Sequence, residues 1–315
     1  MKNLVVLTGP TAVGKTSLSI NLAKQLNGEI ISADSMQVYK GMDIGTAKIT
    51  KEEMDGVTHH LIDIIEPTED FHVARFKKLV EDALDEICSK GKLPIICGGT
   101  GFYIQAILYD IDFSSNEIDK EYRDSLEEFA NLNGNDKLHE KLMSIDPESG
   151  ATIPAANRKR VIRAIEYYHQ TGEKFSTFNA TQREKNSPYN FAYFVLNDDR
   201  ELLYNRIDKR VDIMMEQGLL NEVKSLIDSG LKRGMTAMDG IGYKELLDYY
   251  EGKLTLEEAV SLIKKKSRNY AKRQLTWFRR EKEVIWVDKT IYKSTQEQMD
   301  FIYNILMKKG IIESV

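Results

Sequence analysis

Eight consecutive residues, Gly9-Pro10-Thr11-Ala12-Val13-Gly14-Lys15-Thr16, have the types and spacing to hold a phosphate. They follow an apolar run, Leu4-Val5-Val6-Leu7, and lead into Leu18, Leu22 and Leu26 at helical spacing, so the order is strand, glycine turn, helix. In that order GxxxxGK[ST] is a phosphate-binding loop. Its glycines let successive N–H groups turn around an anion, and the helix adds the positive end of its dipole. Lys15 supplies a mobile cation, and the Thr16 hydroxyl is placed to ligate Mg²⁺ on a phosphate oxygen. The motif announces a phosphate without saying whose.

Other chemistry-bearing groups fall where strands end. Ile30-Ile31-Ser32 runs into Asp34, Ser35, Met36 and Gln37, and ligands of open parallel sheets sit beyond the carboxyl ends of strands. Asp34 there can cap a helix, anchor Mg²⁺, or take a proton from a nucleophile. Ile95-Ile96-Cys97 runs into Gly98-Gly99-Thr100-Gly101, which brings the Thr100 hydroxyl to the same mouth; a tight turn accounts for the glycines alone. Arg206 and Arg210 are four apart on a later helix and share a face. They can reach over phosphates or pair with Glu201, Asp208 or Asp212 on the surface. From Lys264 to Arg280 the chain carries eight Lys/Arg and no acid, interleaved with Tyr270, Trp277 and Phe278. In an acidic protein such a run suggests a polyanion surface, with Lys272 and Arg273 at its centre. Arg158-Lys159-Arg160 and Arg163 form a second basic cluster, with Arg160, Arg163 and Tyr167 expected on one side of a helix and Val161, Ile165 and Tyr168 packed on the other.

The elements that must position these groups read as an α/β fold. Strands are expected at Glu29–Ser32, Leu93–Cys97 and Phe191–Leu196, with an edge strand at Val284–Val287. Val73, Phe76, Val80, Ala83 and Ile87 mark an amphipathic helix that stops at Gly91. Alternating strands and helices imply a parallel sheet with helices on both faces, a P-loop NTPase-like core. Between 114 and 187 strand-like runs vanish and helices are separated by Asn133-Gly134-Asn135, Asp146-Pro147 and Thr171-Gly172. The expected organisation is a core of residues 1–113 and 188–315 with its C-terminal helices, and an all-helical insertion over 114–187.

With 315 residues, 42% hydrophobic and 30% charged, the chain can build a core with a second lobe. No apolar run approaches the ~20 residues of a membrane span. A strand beginning by Leu4 leaves no room for a targeting peptide, and Cys88 and Cys97 lack metal-ligand spacing and are expected to be buried and reduced. Together these predict a cytoplasmic protein. A net charge of −5 confines any nucleic-acid binding to local basic patches.

Together these residues resemble the tRNA dimethylallyltransferase family. The similarity runs through Gly9–Thr16, the long segment Asp34–Lys48, His59-His60-Leu61-Ile62-Asp63, Gly98–Gly101, Gly240-Ile241-Gly242-Tyr243-Lys244 and Ala271–Trp277. It implies transfer of a dimethylallyl group from dimethylallyl diphosphate to N6 of the adenosine immediately 3′ of certain tRNA anticodons (adenosine-37). By this resemblance Asp34 binds the adenine amine and is the general base, while Thr11, Lys15, Thr16 and Arg210 hold the diphosphate with Mg²⁺. Thr100 and Arg123 contact tRNA, as do Asp34-Ser35-Met36-Gln37, Lys159-Arg160-Val161-Ile162-Arg163 and Asp239-Gly240-Ile241-Gly242-Tyr243-Lys244. Asp239 departs from the glutamine or arginine of the family pattern. The chain ends soon after the basic helix, without the zinc-finger extension of eukaryotic relatives, so a bacterial type is expected, and a monomer, with tRNA supplying the large interface. The alternative reading of the motifs alone is a small-molecule or nucleoside kinase using ATP, or an RNA-binding ATPase.

Overall fold

A computed structural model describes residues 1–113 and 119–313. The chain divides into two compact units, residues 1–107 with 188–315, and residues 108–187.

The first unit begins with β1 (Lys2–Thr8), whose Leu4, Val5, Val6 and Leu7 are wholly buried, and passes through the glycine loop into α1 (Lys15–Gln25). β2 (Gly28–Ala33), α2 (Lys51–Met54), β3 (His59–His60), α3 (Val73–Ser89), β4 (Leu93–Gly98) and α4 (Gly101–Leu108) follow. α3 buries Phe76, Val80, Ala83 and Ile87, the face its apolar spacing dictates. After the second unit the chain returns as β5 (Tyr189–Asn197).

The second unit is helical: α5 (Lys120–Asn133), α6 (Asn135–Ile145), α7 (Pro147–Thr152), α8 (Arg158–Thr171) and α9 (Phe175–Glu184). Its own core gathers Leu126, Ala130, Leu138, Leu142, Ile153, Val161, Ile162 and Ile165. Asp146 is buried at the start of α7, where it accepts from the Ser149 N–H and from the N–H and hydroxyl of Ser176, and these donors hold its carboxyl below the usual range against the opposing effect of burial.

The first unit then completes itself with α10 (Arg200–Glu216), α11 (Leu219–Asp228), α12 (Tyr243–Tyr250), α13 (Leu256–Phe278), β6 (Val284–Asp288) and α14 (Thr295–Lys308). Its six strands run in the order β3-β2-β4-β1-β5-β6 and every neighbouring pair is parallel. β1 and β4 are in register from Val5 opposite Ile95 to Thr8 opposite Gly98, so the glycine loop and the Gly98–Gly101 turn leave the sheet side by side. The Thr8 hydroxyl donates to the Gly98 carbonyl at 2.6 Å and ties the two exits together. Val284–Asp288 is the edge strand expected of it, and the two-residue β3 forms the opposite edge without a sequence pattern to mark it.

Candidate active site

Ala12 (φ 63°) and Gly14 (φ 98°) both adopt left-handed backbone, and Gly14 caps α1. Only a glycine takes that conformation without strain at the cap, and the first N–H groups of α1 are left facing an anion position. Lys15 folds over the same loop, its Nζ donating to the carbonyls of Gly9 at 3.0 Å and Pro10 at 2.8 Å. Burial lowers its pKa to about 8, with the Arg210 guanidinium adding to the effect and Cys97 and Asp34 opposing it. Thr16, at the first turn of α1, is exposed.

On α10, Arg206 and Arg210 turn to different partners. Arg206 pairs with Asp198, while Arg210 reaches the Thr11 hydroxyl at 3.4 Å. Burial lowers the Arg210 pKa, and Asp34 partly restores it. Asp34 thus faces the cations of the loop. Its Oδ1 also accepts from the N–H of Met36 at 2.9 Å and of Gln37 at 3.4 Å, which fixes the carboxylate on the turn after β2. Tyr270, hydrogen-bonded to the Thr100 side chain, is pushed up to about 12 by burial and then by Asp34.

Several of these groups line a cavity of about 440 Å³. Thr11, Asp34, Ser35, Met36, Arg210, Tyr270 and Arg273 contribute to its lining, with Asp239, Gly240, Ile241, Gly242 and Tyr243 beside them. Ile207, Val211, Met214, Leu219 and Ile263 add an apolar stretch of wall.

Two positioning residues, Gln274 and Glu222, carry no local signal of their role in the sequence. Gln274, buried in α13, accepts from the Thr11 N–H at 3.0 Å and donates to the Gly99 carbonyl at 2.9 Å, bracing the phosphate loop against the Gly98–Gly101 turn. Its presence explains a glycine that a turn alone does not: a Cβ at Gly99 would lie 2.2 Å from the Gln274 amide nitrogen, and one at Gly101 2.2 Å from the Trp277 ring. Glu222 accepts from the N–H groups of Asp43, Ile44 and Gly45 at 2.7–3.0 Å and from the Tyr243 hydroxyl at 2.7 Å. It thereby holds the cavity wall formed by the loop after β2. Buried Lys48 fastens the far end of that loop to Asp43, Asp63 and the Tyr39 carbonyl, and Gln37 donates to the carbonyls of Thr46 and Ala47. His60 bonds buried Glu29 at 2.7 Å, so this histidine of the signature is structural.

Several expected contacts have other occupations. Val161 and Ile162 lie in the core of the helical unit, and Tyr243 is buried against Glu222, so none of the three offers an exposed side chain to RNA. The faces of α8 are the reverse of expectation at two adjacent positions: Tyr167 is buried and donates to Glu173, while Tyr168 is exposed. Arg123 and Arg163 both face the buried carboxylate of Glu166, at 2.6 and 3.5 Å, whereas Lys159 and Arg160 are exposed. In α13, Lys264, Lys266 and Arg268 pair with Asp212, Glu245 and Asp208. Lys272 and Arg273 are exposed, as are Asp239 and Lys244. Cys88 and Cys97 are free but half-buried rather than buried.

The family model described as IPP transferase matches residues 37–281. A tRNA dimethylallyltransferase from Lachnoclostridium phytofermentans is 56% identical over 99% of this chain and 100% of its own length. The crystal structure of a full-length tRNA isopentenylpyrophosphate transferase from Bacillus halodurans is 48% identical, with a TM-score of 0.74 over 98% of each chain. A eukaryotic dimethylallyltransferase solved acting on tRNA is 31% identical, with a TM-score of 0.80 over 96% of this chain and 80% of its own. No helix among the described residues is long and apolar enough to cross a membrane. With a family model covering most of its length and a relative this similar from end to end, the chain belongs to the IPP transferase family, the tRNA dimethylallyltransferases.

Proposed function

We propose that this site transfers a dimethylallyl group from dimethylallyl diphosphate to N6 of the adenosine immediately 3′ of the anticodon in tRNA, releasing diphosphate. The observation that carries this reading is the convergence of three unlike surfaces on one cavity: the Arg210 guanidinium and Thr11 hydroxyl at the phosphate loop, the Asp34 carboxylate, and the apolar wall of Ile207, Val211, Met214 and Leu219, with Lys15 in the loop behind them, electrostatically coupled to Arg210 and Asp34. A five-carbon allyl group suits that wall, and its diphosphate suits the loop.

An exocyclic adenine amine is a weak nucleophile, because its lone pair is delocalised into the ring. The allylic substrate compensates: its breaking C–O bond leaves a resonance-stabilised cation and a departing diphosphate. The protein's task is to stabilise charge on that leaving group, through the loop N–H groups, Lys15, Arg210 and the Thr11 hydroxyl. Asp34 accepts the amine proton as the C–N bond forms. Thr16 exposes a hydroxyl beside the loop, a donor set that suits Mg²⁺ when diphosphate oxygens and water complete its shell. When bound, the ion neutralises charge on the diphosphate.

The adenine must leave its stack to reach Asp34, and an anticodon loop offers unpaired bases for that. Exposed Lys272 and Arg273 on α13, and Lys159 and Arg160 on α8, supply cations for the phosphate backbone. Thr100 and the exposed ends of the 239–244 segment, Asp239 and Lys244, are further RNA contacts, with Arg123 and Arg163 oriented by Glu166. The enzyme works in the cytoplasm as a monomer on this reading. Purified protein given dimethylallyl diphosphate, Mg²⁺ and unmodified tRNA should release diphosphate and form N6-dimethylallyladenosine. Hydrolysis of ATP without prenyl transfer would replace this reading with the kinase or ATPase alternative.

A further inference from the structure

A second lysine stands at the phosphate loop, contributed from the other end of the chain and outside the segment that the family model matches. Lys289 follows the edge strand β6, and its main-chain N–H donates to the Asn197 carbonyl at 3.0 Å, which continues the pairing of β6 with β5 by one residue. Its Nζ donates to the Val13 carbonyl at 3.1 Å and lies 3.3 Å from where a Cβ on Gly14 would be. Arg206 and Asp198 are its charged neighbours, and those two pair with each other.

The chemistry follows from the planarity of one peptide. In a trans peptide the C=O and the following N–H point in opposite directions. Holding the Val13 carbonyl outward therefore turns the Gly14 N–H inward, at the position where the left-handed cap of α1 presents it to an anion. Gly14 is the residue least able to hold that orientation by itself, since glycine has the widest backbone freedom. The ammonium also polarises the amide it grips and adds a positive charge behind the loop.

We infer that Lys289 is a positioning residue for the diphosphate leaving group: it fixes the Val13–Gly14 peptide so that the Gly14 N–H stays aimed at the anion, and it adds positive charge behind that amide. The inference rests on the reading of this loop as a diphosphate cradle. It predicts a defect confined to the prenyl substrate, because Lys289 touches the loop and neither Asp34 nor the basic face of α13.

The test compares wild type, Lys289→Met and Lys289→Arg, using inorganic pyrophosphate with Mg²⁺ in calorimetric titrations and steady-state kinetics with both substrates. Lys289→Met should weaken pyrophosphate binding and raise KM for dimethylallyl diphosphate about tenfold, the scale of one charge-assisted hydrogen bond. KM for tRNA and the melting temperature should stay near wild type. Lys289→Arg, which keeps the charge and a donor, should recover most of the loss. Wild-type pyrophosphate affinity in Lys289→Met overturns the inference, and so does an equal rise in both KM values or a loss of folding that Lys289→Arg shares. If wild type itself fails to bind pyrophosphate, the cradle reading falls and this inference falls with it.

Discussion

Lys15 should impose a falling limb on the pH profile of prenyl-substrate capture. Burial lowers its pKa from 10.5 to about 8, so it is protonated at pH 7, half protonated near pH 8 and about one-tenth protonated near pH 9. On the proposed mechanism only the ammonium form stabilises the diphosphate, and kcat/KM reports groups of the enzyme form that captures this substrate. The value of kcat/KM for dimethylallyl diphosphate should therefore hold level up to about pH 7.5 and fall about tenfold per pH unit above pH 8. Initial rates with saturating tRNA, at constant ionic strength from pH 6.5 to 9.5, measure it. Lys15→Arg should lose that limb whatever its overall rate, since a guanidinium stays protonated throughout. Stability should move the opposite way. The folded pKa lies below the unfolded one, so the unfolded chain binds more protons between about pH 8 and 10.5, and the free energy of unfolding rises across that window. Lys15→Met should lack this contribution. A profile flat to pH 9.5, or a falling limb that persists in Lys15→Arg, would refute the assignment of Lys15 as the titrating cation.

Asp34→Ala should lower kcat about 10²–10⁴-fold while tRNA affinity in a filter-binding assay stays within about threefold; a collapse of tRNA binding alone removes the general-base role. Gln274→Leu leaves the Thr11 N–H and the Gly99 carbonyl without their partners, which should cost about 2–5 kcal/mol and roughly 4–10 °C in melting temperature, with a raised KM for the prenyl substrate. An unchanged melting curve would show that water replaces the glutamine. Changing Lys272 and Arg273 together to Gln should weaken tRNA binding and reduce its log–log salt slope by about 1 to 1.5. An unchanged slope demotes the exposed face of α13 to a structural element.

Where the sequence carried a local pattern, the structure could be read from it. The glycine loop, the long strands and the face of α3 rest on short-range rules: positive φ at Gly14, buried apolar runs, and a 3.6-residue repeat. The order of the strands in the sheet has no such signal, and a two-residue strand such as β3 is too short to leave a pattern. On α8 the periodicity gave the helix but not the assignment of Tyr167 and Tyr168. Adjacent tyrosines differ by about 100° around the axis, and packing of Tyr167 with Phe175 and Phe178 decided which turned inward. Gln274 and Lys289 act on the phosphate loop across more than 260 residues of chain. Neither residue type nor spacing announces such a contact; only the fold brings α13 and the end of β6 to the carboxyl end of β1. The charge run of α13 was legible as a run, yet half of its meaning lay in Asp208, Asp212 and Glu245 on neighbouring helices, which neutralise Arg268, Lys264 and Lys266 and leave Lys272 and Arg273 exposed.

On the proposed mechanism one cavity brings an allylic carbon, with its diphosphate in the glycine loop, against an extruded adenine at Asp34. A crystal structure of the enzyme with an unreactive dimethylallyl diphosphate analogue, Mg²⁺ and an anticodon stem-loop tests it directly. The diphosphate should lie against Lys15 and the Gly14 N–H, with the adenine N6 within about 2.6–3.2 Å of an Asp34 oxygen. An adenine still stacked in its loop, or a diphosphate bound away from Lys15, would contradict it.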